Sequence, residues 1–559
     1  SRSPREAYSL TDKLTDSYFK TETDIRPFFE SQLEACGVDY FDFYLMHAQN
    51  ADNFKKFKAC RAYETAFALK AEGRIRHVGL SFHDRAEVLD QILTEYPQIE
   101  VVQIQFNYLD YDDIAVQSRK CYEVCRKHGK PVLVMEPVKG GISLDMRRNF
   151  NKVISFNEID QTITVQAGMS GPDLEKTLQS APELFGAKRQ YTCGHFPQSF
   201  EYSSVGGWTV TRGAGQNSTY YGTIADIVLS QKYATPIGVI QTSHYSREAT
   251  GPNLNQIMMG SEGTFGVLTE VTLRIFRWMP QNRKRFSYIF KTWDEAMKAA
   301  REMMQCECGY SSVFRLSDPE ETNLMLKLYN VDETPLQPLL DAFGYKDMER
   351  CLFLGFTDGE KGYSRNVARN IARIARKHGG MPLTGYVTRS WEKGRFNDPY
   401  LRDTLMDFGI TTDTLECTVN WSNMEQVHAD VRKICHALPN TVVTTHMSHC
   451  YPQGANLYFI FLTRMQDEDA FKAYHTTILD AIQRSGAAVS HHHGIGKMFA
   501  PWLEGYIGEK EYGVFRVLKN YFDPDYNMNP GGTIGLDLKP EEKKFLREYT
   551  DYLEQPKFD

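Results

Sequence analysis

The sequence predicts a protein of mixed class, α/β over its first 140 residues and α+β beyond them. Three features carry that prediction. Near-continuous apolar strands separated by helical patterns run through the first segment, which implies a parallel sheet covered on both faces. The character of the chain changes abruptly at Gly140-Gly141-Ile142, where short alternating strands and turns rich in glycine and hydroxyls begin. From Arg285 onward, strands alternate with long amphipathic helices, the rhythm of an antiparallel sheet with helices on one side. The expected boundaries are 1–140, 141–280, 281–485 and 486–559.

Composition narrows the field. With 559 residues the chain is long enough for several domains. Charged residues make up 24% and hydrophobic residues 42%, an ordinary globular balance. A net charge of -7 argues against a nucleic-acid partner, and no apolar run is long enough for a transmembrane segment. Neither end carries an apolar signal core, a peroxisomal signal or a lipid-anchor signal. The eleven cysteines include the pairs Cys121/Cys125 and Cys306/Cys308 but no complementary His/Cys set at zinc spacing. They read as structural thiols in a reduced cytoplasmic protein, with no metal ligands among them.

Taken in order, the first segment has expected strands at 7–12, 40–46, 75–82, 101–108 and 132–137, with helices at 25–36, 85–96 and 113–128. The last helix closes on His128-Gly129-Lys130-Pro131, a helix stop followed by a strand start. In a parallel α/β layer, ligand-facing residues lie at the C-terminal ends of the strands. Those positions hold Lys13, His47, His83, Asn107 and Glu136, a polar set.

The stretches GVDYFDFYLMHAQN, EGRIRHVGLSFHD, VVQIQFNYLDYDD and KPVLVMEPVKGG resemble the aldo-keto reductases, (β/α)8 barrels that use NADPH. Lys13 and His47 match two members of that family's Asp, Tyr, Lys, His set. The Asp and Tyr have no counterpart in residues 1–140, and the strand with the phosphate-gripping loop does not follow Gly140. About five of eight strands are accounted for. The resemblance therefore implies an incomplete (β/α) barrel fragment with Lys13 and His47 as remnants, and the missing parts argue against NADPH.

After the junction, a helix is expected to open at Ser170-Gly171-Pro172-Asp173. Gly194-His195-Phe196-Pro197-Gln198-Ser199 leads into Ser203-Ser204-Val205-Gly206-Gly207-Trp208 and then Thr211-Arg212-Gly213-Ala214-Gly215. Turns this rich in glycine bring backbone N–H groups close to a flat or phosphorylated ligand. A second such stretch, Gly260-Ser261-Glu262-Gly263-Thr264-Phe265-Gly266-Val267-Leu268, runs into an expected strand at 269–275. Far downstream stands Ser490-His491-His492-His493-Gly494-Ile495-Gly496-Lys497. Imidazole transfers protons near neutrality. If 487–490 is extended, His491 and His493 share one face and His492 takes the other.

In their order and context, VGGW, GSEGTFGVLTE and SHHHGIGK resemble the FAD-binding oxidoreductases of the vanillyl-alcohol oxidase type, over about residues 141–535. Within that type the resemblance is greatest to the alkyldihydroxyacetonephosphate synthase branch. It implies an FAD-binding α+β domain with an antiparallel-sheet cap, fused behind the barrel fragment. FAD contacts carry over to Gln198, Ser199, Ser203, Ser204, Gly206, Gly207, Thr211, Arg212, Gly213, Ala214, Glu262, Gly263, Thr264, Gly266, Val267, Leu268 and Asn529. The small subdomain that cradles the FAD pyrophosphate in that family has no counterpart in these 559 residues; the barrel fragment stands in its place.

In the cap, strands are expected at 286–291, 311–316, 352–356, 415–421 and 457–462, and helices at 294–304, 363–378, 424–438 and 468–485. Arg402 has the planar fork suited to a phosphate or carboxylate. His446, His449 and Tyr458 gather round a strand. The resemblance makes Arg402 the phosphate anchor, Arg315 a structurally important arginine on the substrate side, Tyr458 the acid–base group, and His491, His492 and His493 the cluster beside the flavin. It implies acyl-to-alkyl exchange on a phosphorylated ketone, of ether-lipid type, with a long-chain alcohol as second substrate and the flavin as electron sink without net redox change. Three other readings remain open: an FAD-dependent 2-hydroxyacid dehydrogenase, an NADPH-dependent aldo-keto reductase, and a fusion with no working site. A small phosphorylated or carboxylate substrate is expected, and the sequence leaves room for a homodimer.

Overall fold

The computed structural model describes Arg5 and residues 9–106, 117–135, 144–328, 336–465, 467–530, 532 and 534–545. The chain divides into two compact units, Ser1–Leu144 and Asp145–Asp559.

The first unit is built on five parallel strands in sequential order: Thr11–Leu14, Phe41–Gln49, Ile75–Phe82, Val101–Gln105 and Val132–Met135. The first strand starts at Thr11; residues 7 and 8 of the expected 7–12 lie outside the described residues. The helix Glu22–Cys36 opens on a Thr21–Asp24 capping box and stops at Gly37, whose φ of 63° suits a residue without a Cβ. Two helices outside the expected set, Ala51–Ala59 and Ala62–Ala71, bridge the second and third strands. Phe29, Phe41, Tyr44, Phe57 and Tyr63 are fully buried beside Leu14 and Leu89. The strands are thus apolar on both faces, as a parallel sheet requires. Asn107 and Glu136 lie outside the described residues.

The second unit contains a five-stranded antiparallel sheet in the order Gly238–Gln241, Val228–Thr235, Val267–Arg274, Thr162–Gln166 and Val153–Asn157. The helix Gly171–Gln179 opens on Ser170, whose hydroxyl accepts from Asp173 N, and carries Pro172 in its first turn.

A seven-stranded antiparallel sheet follows, in the order Met381–Pro382, Lys284–Phe290, Cys351–Thr357, Val313–Ser317, Val442–Met447, Gly454–Thr463 and Thr411–Asn420. The helices Trp293–Gln305, Lys361–Lys377, Met424–Cys435 and Glu468–Arg484 share one core with it. Period-two alternation decides which strand residues enter that core. Leu457, Phe459 and Phe461 do, as do Leu415, Cys417, Phe314 and Leu316. Each such side chain contributes about 1.5–3 kcal/mol by leaving water. The residues between them, Tyr458, Glu416 and Arg315, are left for the opposite face. No helix among the described residues is long and apolar enough to cross a membrane.

Candidate functional site

Register fixes the centre of the site. Tyr458 pairs with His446 on one neighbouring strand and with Glu416 on the other, so the three form a row across the face opposite the helices. Arg315 extends the row on the next strand, which pairs with the His446 strand through Leu316 and Ser317. A strand whose polar residues alternate with core residues delivers this arrangement from sequence alone. The same parity hid Glu416, a single carboxylate inside the expected strand 415–421.

At the Arg315 end the groups are tightly bonded. Arg315 Nη1 lies 3.1 Å from His446 Nε2, its Nη2 donates to Glu321 Oε1 at 2.7 Å, and His446 Nδ1 lies 2.9 Å from the same oxygen. A guanidinium only donates, so His446 Nε2 accepts and its Nδ1–H points to Glu321. Burial alone would raise the Glu321 carboxyl, but His446 and Arg315 outweigh it and hold it down to about 2. The His446 ring stacks on Tyr458 with centroids 4.9 Å apart. Tyr458 Oη donates to Thr414 Oγ1 at 3.2 Å. Burial, reinforced by Glu416 and Asp413, pushes its phenol up to about 12, so it carries its proton at neutral pH.

The histidine loop meets the other end. Glu416, fully buried, accepts from the backbone N–H groups of His491, His492 and His493 at 2.8–3.0 Å, from Ser490 Oγ at 2.9 Å and from Asn456 Nδ2 at 2.9 Å. Burial opposes its ionisation, but the His493 and His491 rings and these N–H groups keep it below the usual carboxylate range. Three successive N–H groups converging on one carboxylate require a turn. The alternation of imidazoles expected if 487–490 is extended is corrected accordingly.

Tyr458 faces His492 at 6.0 Å and meets His493 edge-on at 5.4 Å. His491 Nδ1 lies 3.0 Å from His492 Nδ1, and its Nε2 lies 2.8 Å from Tyr451 Oη. His449, bonded to Ser448 Oγ at 2.9 Å, stacks within 5.0 Å of both rings. Burial and neighbouring imidazoles hold His449 and His492 well below the ordinary histidine value, so both are neutral at pH 7. Ligand nitrogens of His449, His491 and His492 all lie within 4.8 Å of one another, a spacing that suits a metal ion. The sequence reading had assigned no metal ligand, because it treated the triplet without His449.

Glu262 grips the same loop from the flavin-type half. Its carboxylate accepts from Ile495 N at 2.5 Å and Gly496 N at 2.7 Å, and Asn529 Nδ2 donates to its carbonyl at 2.6 Å. A Cβ on Gly494 would stand 2.6 Å from Glu262 Oε1 and 3.5 Å from Thr211 Cβ, which is why glycine follows the triplet. Lys519, almost fully buried, donates to Thr264 O at 3.0 Å and steadies the 261–266 turn. The expected cofactor residues Thr211, Glu262, Gly263, Thr264 and Asn529 therefore border the histidine loop.

The remaining cofactor residues build the turns nearby. Ser204 caps the helix Val205–Val210, Gly206 lies where a Cβ would stand 2.7 Å from Ala167, and Ser203 Oγ accepts from Trp208 Nε1 at 2.7 Å. Arg212, with φ 54°, is pinned to Gln256. Buried His195 leaves both ring nitrogens unpaired among the described residues and is pushed down to about 3 by burial; Gln216 Oε1 and Thr264 Oγ1 are also unpaired. Unsatisfied buried polar atoms beside open glycine backbone fit the polar edge of a flavin ring.

One expected placement differs. Arg402 is exposed on the helix Asp398–Asp407, with no bond to a described residue, and does not join the row. In the first unit, Lys13 and His47 lie at the ends of adjacent strands, and burial lowers the proton affinity of both. His47 Nδ1 meets Thr15 Oγ1 at 2.9 Å.

Comparison with known proteins places the chain among FAD-dependent oxidoreductases. Residues 279–533 match the C-terminal domain of FAD linked oxidases, and residues 1–188 match the aldo/keto reductase family. The alkyldihydroxyacetonephosphate synthase of Dictyostelium discoideum is 30% identical over 438 residues, covering 73% of this chain and 68% of its own. That of Trypanosoma brucei brucei is 25% identical over 517 residues, covering 85% and 79%. A solved alkyldihydroxyacetonephosphate synthase superposes with a TM-score of 0.58 at 25% identity, over 80% of this chain and 76% of that one. The chain belongs to the FAD-linked oxidase family that includes the alkyldihydroxyacetonephosphate synthases.

Proposed function

We propose that the chain exchanges an acyl group for an alkyl group on a phosphorylated ketone, with FAD bound against the histidine loop. The ester's C–O bond breaks, the fatty acid departs as its carboxylate, and the oxygen of a long-chain alcohol forms the new C–O bond. Bound FAD would supply an electron sink returned to its starting state. The observation that carries the reading is Tyr458, protonated at neutral pH and stacked between His446 and His492.

In this reading Tyr458 and the neutral His492 form a proton-transfer pair beside the substrate carbonyl. Arg315, locked by Glu321 and His446, orients the row rather than meeting substrate. Gln198, Ser199, Ser203, Ser204, Gly206, Gly207, Gly213 and Ala214 line the ring side, with Glu262, Gly266, Val267 and Leu268 opposite. Residues 141–280 then form the flavin-side domain, 281–485 the cap and 486–559 the closing segment. The test is incubation of the FAD-loaded chain with an acylated ketone phosphate and a long-chain alcohol, followed by mass spectrometry of the ether product. His492→Ala is expected to abolish the product; unchanged turnover removes His492 from the chemistry.

A second reading is kept by the neutral imidazoles of His449 and His492, each able to accept a proton. They would serve a net oxidation of a 2-hydroxy acid. Bleaching of bound flavin by such an acid, without ether formation, would select that reading.

A further inference from the structure

The helix Gly385–Gly394 ends at Arg395, which is only 9% exposed. Its guanidinium lies over the rings of Phe396 at 4.7 Å, Phe196 at 5.1 Å and Phe356 at 6.0 Å. Its one side-chain partner among the described residues is neutral: Nη1 donates to Asn217 Oδ1 at 3.0 Å. No described carboxylate forms an ion pair with it. The acids that act on it are engaged elsewhere: Asp358 by Arg283 at 2.7 Å, Glu392 by Arg283 and by Arg285 at 2.6 Å, and Glu175 by Thr192 Oγ1 at 2.9 Å and Cys193 N at 2.8 Å.

A buried charge without a counter-ion is costly to hold, and its removal usually favours the folded state. An apolar side chain of similar length would fill the aromatic slot, giving up only the guanidinium–ring contacts. Position adds to this. The Arg395 carbonyl accepts from Gln198 and Gln216, in the glycine-rich half. Two residues beyond Asn217, Thr219 accepts the N–H of Cys450, the neighbour of His449. The unpaired charge thus lies on the seam between the flavin-type half and the cap, beside the histidine cluster. Arg283 adds a second positive group nearby.

We propose that Arg395 is the anion anchor of this site, taking a phosphate group through its free N–H fork. A planar guanidinium matches two phosphate oxygens at once. The phosphate belongs either to the dinucleotide or to the phosphorylated substrate, so the assignment rests on the flavin reading above. The anchor differs from Arg402, which is exposed on the following helix.

The test uses the purified full chain, with Arg395→Met as an apolar replacement and Arg395→Lys as one that keeps the charge but loses the fork. Inorganic phosphate is titrated at fixed ionic strength, followed by melting temperature, with and without FAD. FAD and riboflavin, which has no phosphate, are titrated by flavin fluorescence. If the dinucleotide supplies the phosphate, Arg395→Met weakens FAD tenfold or more, spares riboflavin, and inorganic phosphate competes with FAD. If the substrate supplies it, FAD affinity is unchanged and the FAD-loaded variant loses phosphate binding tenfold or more. In either case the unliganded Arg395→Met chain melts no lower than wild type, and Arg395→Lys is intermediate. The anchor is overturned if neither FAD nor phosphate affinity depends on residue 395, even where flavin still binds. Phosphate binding that depends on Arg395 in a chain that takes no flavin overturns the flavin reading and leaves the anchor standing.

Discussion

Glu416 shows how much a single side chain organises here. It sits where strand parity places a polar residue, yet it serves the loop rather than the sheet. Replacing it with glutamine keeps the shape but turns an amide N–H₂ toward donors, leaving two or more buried N–H groups unmatched. The expected cost is about 2–4 kcal/mol, measured as a drop in the urea midpoint. Glu321 makes a separate prediction. Its pKa is depressed from 4.5 to about 2, so its stabilisation is present above pH 4.5 and is lost as pH falls toward 2. That difference corresponds to roughly 3 kcal/mol. Wild-type stability should therefore fall more steeply between pH 5 and pH 3 than that of Glu321→Gln, and parallel curves would remove Glu321 from the acid response. Neither carboxylate stands out in the sequence: Glu416 is a lone acid within a strand and looks like a surface position, and Glu321 is one of several acids at a helix start and looks like an ordinary first-turn residue. The histidines and Tyr458 stand out because their residue type already carries the chemistry.

At the scale of elements, periodicity was a good guide where a strand or helix buries one face. The expected cap strands and helices match Gly454–Thr463, Thr411–Asn420, Met424–Cys435 and Glu468–Arg484 to within a few residues. Along 457–462 nearly every residue is apolar, so the facing of Tyr458 is settled only by the helices packed on Leu457, Phe459 and Phe461. Periodicity failed for the histidine loop, because a loop's course is set by what its backbone bonds to. Here that is a carboxylate on each side, Glu416 from the cap sheet and Glu262 from the flavin-type half. Gly494 is the hinge between the two grips, with φ 79° and no room for a Cβ. Gly494→Ala is expected to cost about 1–3 kcal/mol. The loss should appear as a lower melting temperature together with weaker flavin binding. A variant that melts lower but binds flavin unchanged would separate the hinge from the site.

At the scale of the whole molecule, the two halves answer the sequence differently. The second unit carries an antiparallel cap and a polar row, and the row depends on contacts up to 131 residues apart that no local pattern displays. Among the described residues the first unit has five parallel strands in sequential order, whereas a closed barrel of this type needs eight. Its Lys13 and His47 lie together at adjacent strand ends with proton affinities lowered by burial; Asp16 acts on the His47 ring, but among the described residues no phenol bonds to either of them as a proton donor. A hydride-accepting carbonyl needs such a donor as well as a grip on NADPH. The full chain should therefore quench the fluorescence of added FAD in a saturable titration and leave that of NADPH unchanged. Lys13→Met should lower neither FAD affinity nor ether formation by as much as twofold. Saturable NADPH binding that Lys13→Met abolishes would instead assign a working site to the first unit and make the chain bifunctional.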